Sequence, residues 1–277
     1  MTKARTSRST TAYLIIVFVV VFNLIPFVWM ISTSFKTYEE AHKIPPTYLP
    51  QNPTVESYTQ ILIWTNFPRY FLNSSVISLG TAILSTFVGA LAGYGFSRFR
   101  FPGRTTWIGV IIATQMLPGV LLVGPYFKML VQIRLYNTYP GLILAFTTIT
   151  LPFSTWMMKG FIDTVPEELD QAAMVDGCST FAGFRRVILP VITPGMVATM
   201  IFAFLLAWGD LLWVLVLTSG DNMATVTLGL SRLVTQFRII WPQLMAGSVI
   251  GAIPPLVLYV ILQNYLVKGL TAGAVKE

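Results

Sequence analysis

The chain has 277 residues, 55% of them apolar and only 10% charged, with a formal charge of +7. Soluble domains carry roughly a quarter of their residues as charges, so this chain lacks the polar groups to cover its own surface in water, and a soluble enzyme is excluded. Its Lys and Arg residues are scattered in short connections with no basic stripe, which argues against nucleic acid, and one His (His42) with one Cys (Cys178) excludes a His-rich metal site or an internal disulfide.

Apolar runs of about 20 residues, each long enough to cross a hydrocarbon core of roughly 30 Å as a helix, recur at 12–33, 72–95, 106–128, 138–158, 193–217 and 245–267. The expected fold is therefore all-α: a polytopic membrane protein with six transmembrane helices in a single domain over residues 1–277. The first run follows Lys3, Arg5 and Arg8 much as a signal peptide would, but it is too long for an h-region and no small-x-small cleavage site follows it, so it reads as a retained span. An even number of spans puts both termini on one side of the cell membrane. Lys3, Arg5 and Arg8 before the first span and Arg98, Arg100 and Arg104 after the second make that side cytoplasmic by the positive-inside rule. The connection 160–192 and the tail after Lys268 then face the cytoplasm, and 34–71 and 218–244 face outward.

Along the chain, Pro45, Pro46, Pro50, Pro53 and Pro68 predict extended or turn structure over 34–71. The third, fourth and sixth spans contain Pro118, Pro125, Pro152, Pro254 and Pro255. Each frees a backbone carbonyl that lipid cannot satisfy, which fits either helices broken around an internal path or simple kinks in a packed bundle. Gly89-Ala90-Leu91-Ala92-Gly93 and Ala246-Gly247-Ser248 offer surfaces for close helix–helix contact.

In 160–192, Pro166 suits a first helical position, Glu167 and Glu168 favour the positive end of the helix dipole, and Gly177 is a natural residue just past a helix end. Leu169, Ala172 and Ala173 fall at i, i+3 and i+4 and form a shallow apolar face, with Glu168, Asp170 and Gln171 around it. Ser179 can cap a second helix that runs through Phe181, Phe184, Arg185 and Ile188 and stops at Pro190. By physics alone this pair is either an interfacial element lying on lipid or a docking knob for a partner protein.

The run Glu168-Leu169-Asp170-Gln171-Ala172-Ala173-Met174-Val175-Asp176-Gly177, followed by Phe184-Arg185-Arg186-Val187-Ile188-Leu189-Pro190, resembles the EAA motif of ATP-binding-cassette (ABC) importer permeases. Over essentially the whole chain the resemblance is to the shorter permease subunit of maltose-type carbohydrate importers. It also covers Pro26-Phe27-Val28-Trp29-Met30 to Ser34-Phe35-Lys36, Asn73-Ser74, Gly93-Tyr94-Gly95-Phe96-Ser97-Arg98 and the tail Gly269-Leu270-Thr271-Ala272-Gly273-Ala274-Val275-Lys276. One departure is Gln171, which stands where the motif has its naming glutamate and removes a charge.

The resemblance implies a type I ABC importer permease fold whose 160–192 loop carries a coupling helix seated in a cleft of an ATPase subunit. Glu168, Asp170, Gln171, Ala172, Ala173, Asp176, Gly177 and Arg185 would lie at that interface, and the tail 269–277 would reach between two ATPase subunits. It implies uptake of a di- or oligosaccharide by alternating access, together with a second homologous permease, an ABC ATPase dimer and an extracytoplasmic solute-binding protein. That last partner would meet 218–244, with Arg232, Gln236 and Arg238. The chain has no GxxxxGK[ST] phosphate loop. It is expected to hold no cofactor and to be no enzyme, with ATP and Mg2+ bound by the partner ATPase.

Trp208-Gly209-Asp210-Leu211-Leu212-Trp213 resembles the family's cavity-lining segment, with Gly209 where asparagine is common. An acidic side chain inside a span costs about 2.5–3.5 kcal/mol on insertion scales and must face a partner or water, while Trp208 and Trp213 offer ring faces and N–H donors to a sugar. In the alternative, Asp210 is a structural hydrogen-bonding residue and the tryptophans are packing. An ion-coupled carrier acting alone would need internal repeats and intramembrane carboxylates, for which Asp210 is the one strong candidate in the expected spans. A membrane enzyme would need clustered His, Cys or paired carboxylates.

Overall fold

The computed structural model describes residues 2–235 and 239–272, with side chains described from residue 12 onward except at 264 and 266–272. Among the described residues every regular element is helical, beside a single antiparallel bridge between Val234 and Ile239. In chain order these are α1 (Thr2–Ser34), α2 (Tyr38–Ala41), α3 (Glu56–Trp64), α4 (Phe67–Arg98), α5 (Arg104–Ala113), α6 (Gly119–Gln132) and α7 (Tyr139–Asp163). They are followed by α8 (Glu168–Val175), α9 (Thr180–Gly183), α10 (Leu189–Val191), α11 (Thr193–Gly209), α12 (Leu212–Leu217), α13 (Val226–Ser231) and α14 (Trp241–Ala272).

Ala12–Ser34, Phe67–Arg98, Tyr139–Asp163 and Trp241–Gln263 are long and apolar enough to cross a membrane as single helices, and the spans number six if each of two bent pairs is one span. The first bend, of 98°, separates α5 and its trailing 3-10 turn (Thr114–Met116) from α6. Leu117, extended at φ −75° and ψ 126°, precedes Pro118, and a proline disfavours helical backbone in the residue before it. The second bend, of 79°, falls at Ile192 between Thr180–Val191 and α11, which has Pro194 in its first turn. Pro26, Pro125, Pro152, Pro254 and Pro255 lie inside helices.

Two stretches depart from expectation. The fifth apolar run is not one helix over 193–217: it stops at Asp210, whose backbone is extended (φ −75°, ψ 135°), and resumes as α12. The proline-rich stretch is not wholly extended, because α2 and α3 flank its central prolines. Thr37 caps α2 by accepting a hydrogen bond from the Glu40 N–H.

The chain divides into two compact units, residues 1–68 with 230–252 and residues 69–229 with 253–277. The first is knotted by two buried charges. Lys36, 2% exposed, donates to the Thr47 carbonyl and sits 4.5 Å over the Trp29 ring. Glu40, 3% exposed, accepts from the Gln51 N–H (2.8 Å) and the Thr47 hydroxyl (2.9 Å). The Gln51 amide bond, helped by Thr47, Asn52 and the Lys36 charge, holds the Glu40 carboxyl below its ordinary 4.5 although burial pushes the other way. These bonds shape a segment too rich in proline to satisfy its own backbone.

In the second unit α4 packs directly on α7. A Cβ at Gly89 would come within 2.8 Å of Ser154, and one at Gly93 within 2.7 Å of the Lys159 backbone nitrogen. Only glycine permits that approach. Buried hydroxyls bond across the seam, Ser85 to Ser154 and Thr150 to Ser85, each at 2.8 Å. Near the start of α4, Asn73 donates to the carbonyls of Asn222 (2.9 Å) and Ala224 (2.7 Å), and Ser74 accepts from the Val226 N–H (2.9 Å).

Candidate functional site

The connection between α7 and α11 is built from local signals. α8 starts just after Pro166, whose carbonyl accepts from the Leu169 N–H (3.3 Å), and carries Glu168 and Asp170 in its first turn. Its end is closed by Gly177 at φ +80°. The Gly177 N–H bonds the Met174 carbonyl (3.0 Å) and the Cys178 N–H bonds the Ala173 carbonyl (2.9 Å), the paired bonds of a Schellman cap. Ser179 then caps α9, accepting from the Ala182 N–H at 3.3 Å. Both ends expected from Gly177 and Ser179 are present. The second helix runs on through a π turn at Phe184–Ile188 into α10 and ends at Val191, one residue past the expected stop at Pro190. Pro190 has no N–H for the Arg186 carbonyl, and the wider turn relieves the clash its ring would cause.

The side of α8 that faces inward is polar. Asp170 and Ala173 are buried, and Asp170 meets the end of α4. The Arg98 Nε donates to Asp170 Oδ2 at 2.7 Å and the Tyr94 hydroxyl donates to Oδ1 at 2.7 Å. The Arg98 Nη2 also donates to the Val165 carbonyl at 2.7 Å, and Ser97 donates to Asp163 at 2.7 Å. Below these bonds lies an apolar cluster of Ala90, Tyr94, Met158, Ile162, Val165, Phe184, Ile188 and Ile192.

Burial decides which of the ion pairs matters. The Arg98 and Asp170 side chains are 9% and 8% exposed, and removing one partner of a buried pair costs about 3–5 kcal/mol because the other charge is left stranded. The i,i+4 pair of Lys159 and Asp163 is 20% and 41% exposed, where about 0.2–1 kcal/mol is usual.

With Asp170 turned inward, Glu168, Gln171, Ala172 and Val175 face solvent, as do Asp176, Gly177 and Arg185. The expected apolar face of Leu169, Ala172 and Ala173 is therefore split: Ala173 alone is buried, Leu169 is 38% exposed and Ala172 is exposed. Sequence reasoning left out the outward apolar groups Met174 (53% exposed) and Val175 (88%). It also left out Arg98 and Tyr94, read only as a topogenic charge and as part of a landmark run. Val175 could have been found from the i, i+3, i+4, i+7 series that starts at Glu168.

The second candidate region lies at the α11–α12 break. Asp210 Oδ1 accepts from the Trp213 N–H (2.8 Å), and the Asp210 carbonyl accepts from the Thr227 hydroxyl (2.7 Å). Trp213 is buried with its ring edge-on to Tyr126 at 5.0 Å, and Trp208 is buried between Phe204 (5.4 Å, stacked) and Phe71 (5.6 Å, edge-on). Asp210 caps the resumed helix, and the two indoles pack against separate sets of aromatic neighbours. Among the outer residues, Arg232 lies in the turn after α13. Gln236, Arg238 and 273–277 lie outside the described residues, and 269–272 form the last turn of α14.

A multi-pass all-α membrane chain that anchors one polar connection and displays a capped helix from it has the outline of a permease subunit. The chain belongs to the family of binding-protein-dependent transport system inner membrane components, whose sequence profile matches residues 85–272. It is 35% identical over 277 residues, 99% of each chain, to the inner membrane ABC transporter permease protein YcjP of Escherichia coli (strain K12). It is 35% identical over 263 residues, 93% of this chain and 94% of the relative, to the trehalose transport system permease protein SugB of Mycobacterium tuberculosis (strain CDC 1551 / Oshkosh). Its fold matches a chain in the crystal structure of a bacterial ABC transporter involved in import of the acidic polysaccharide alginate, with a TM-score of 0.81, 17% identity and 94% and 96% of the two chains covered. The fold is thus that of a type I ABC importer permease.

Proposed function

We propose that this chain is a transmembrane subunit of an ATP-driven importer of a di- or oligosaccharide, working by alternating access. The observation that carries the proposal is α8 itself. Its C-terminal end is fixed by the Gly177 cap and its inner side by Asp170, so that Glu168, Gln171, Ala172, Val175, Asp176, Gly177 and Arg185 form an outward surface. An ATPase subunit of a partner dimer seats on that surface, and Asp170 and Ala173 serve it from beneath. Gln171 contributes a neutral hydrogen-bonding group there.

In this reading both termini and the α8–α10 connection are cytoplasmic, the tail 269–277 reaches between the ATPase subunits, and 218–244 meets an extracytoplasmic solute-binding protein. A second homologous permease completes the path. The sugar class is supported by the trehalose permease relative and the solute-binding protein by the family description. Trp208 and Trp213 shape the path from behind its wall, and Asp210 holds the helix break at which it bends. ATP and Mg2+ are bound by the ATPase partner; this chain supplies the moving wall.

The test is to purify the tagged chain from membranes in mild detergent and reconstitute what comes with it. An ATPase subunit is expected to co-purify, and sugar uptake into proteoliposomes is expected to require ATP. Uptake by the chain alone, driven by an ion gradient, would overturn the proposal.

A further inference from the structure

Among the described residues, Asp170 is the one α8 side chain that hydrogen-bonds another element, and both of its partners, Arg98 and Tyr94, come from the last turns of α4. The Arg98 guanidinium spans two points: Nε reaches Asp170 inside α8, and Nη2 reaches the Val165 carbonyl in the link from α7. α8 also packs against α9 and the π turn at Phe184–Ile188, with Ala173 facing Gly183. We propose that Arg98, Tyr94 and Asp170 form a positioning clamp that makes α8 and the end of α4 move as one body, so that a load on the outer face of α8 is delivered to α4.

The proposal rests on the ATPase-seat reading of α8, and it assigns the residues that pass the load on. The chemistry suits the task. A planar guanidinium fixes direction as well as charge, which an ammonium on a flexible stem does not. With both side chains at 9% and 8% exposure, water competes little for the bonds and salt screens them weakly. Arg98, Tyr94 and Asp170 touch no sugar in this account; they act through α8 as positioning residues.

The test uses the whole importer with its ATPase and binding protein in proteoliposomes, and reads sugar taken up per ATP hydrolysed. A change in stability or yield alone leaves this ratio unmoved. Arg98→Met and Asp170→Asn should each lower it about tenfold or more while ATP hydrolysis continues, and the double variant should fall no further, as for residues that act as a unit. Arg98→Lys, which keeps the charge and loses the fork, should fall in between, and Lys159→Met, at the exposed pair, should keep the wild-type ratio. Tyr94→Phe removes only a hydroxyl and serves where the stronger variants fail to assemble; it should lower the ratio measurably. Wild-type ratios in assembled single variants, in Tyr94→Phe, or multiplied losses in the double variant would each overturn the clamp. Failure of the ATPase-seat reading looks different, because the unmutated chain would then bring down no ATPase.

Discussion

Gly177 sits at φ +80°, where a side chain with a Cβ costs about 1–2 kcal/mol and a β-branched one more. Gly177→Val should therefore loosen the α8 cap, lowering uptake well below wild type at an unchanged membrane level by immunoblot, whereas Gly177→Asn, which tolerates this backbone, should retain most uptake. Glu40 gives a pH prediction. Its carboxyl titrates below the ordinary 4.5, so the ionised form favours the folded state. That stabilisation is complete above about pH 5 and is lost as pH falls from 4.5 through the lowered native value. Hydrogen-exchange protection of the Gln51 amide, which bonds Glu40, should hold from pH 7 down to about 4.5 and fall only as pH drops through the lowered native value, and Glu40→Gln should show no such step. The caps at Gly177 and Ser179 were legible in the sequence because a cap is local chemistry. The inward turn of Asp170 was not, because its cause, Arg98, lies 72 residues earlier.

At the scale of elements, the α4–α7 contact sets a steric limit. Overpacking commonly costs about 1–3 kcal/mol, and at Gly89 and Gly93 much of the obstruction is α7 backbone, which cannot rotate away. Gly89→Leu and Gly93→Leu should lower the thermal unfolding midpoint in detergent by several degrees or prevent recovery of folded protein. Gly95→Ala, with nothing within 4 Å of the new methyl, should behave as wild type. Span positions were legible because hydropathy averages over about 20 residues. Breaks were legible less evenly. Pro118 announces one, but Pro125 and Pro152 look the same in sequence and sit inside helices. The break at Asp210 is visible only once its carboxylate is seen to hold the Trp213 N–H.

On the scale of the whole molecule, the proposed topology can be read with the one cysteine. Cys178 lies in the α8–α9 turn and is part-exposed. A membrane-impermeant maleimide should label it in inverted vesicles and not in intact cells, and Ser219→Cys on a Cys178→Ser background should reverse that pattern. Labelling of both sites from the same side would contradict the arrangement of the spans.

The α4 helix also has a mechanical consequence. Its contact with α7 runs from Asn73, which accepts from the Tyr139 hydroxyl, through Ser85, bonded to Ser154 and Thr150, to Gly93 against the Lys159 backbone, a length of about 30 Å at 1.5 Å per residue. Two rods joined at so many points cannot pivot on one another. A displacement at the Arg98 end would carry the pair together and reach Asn73, with the Asn222 and Ala224 carbonyls it grips, without amplification.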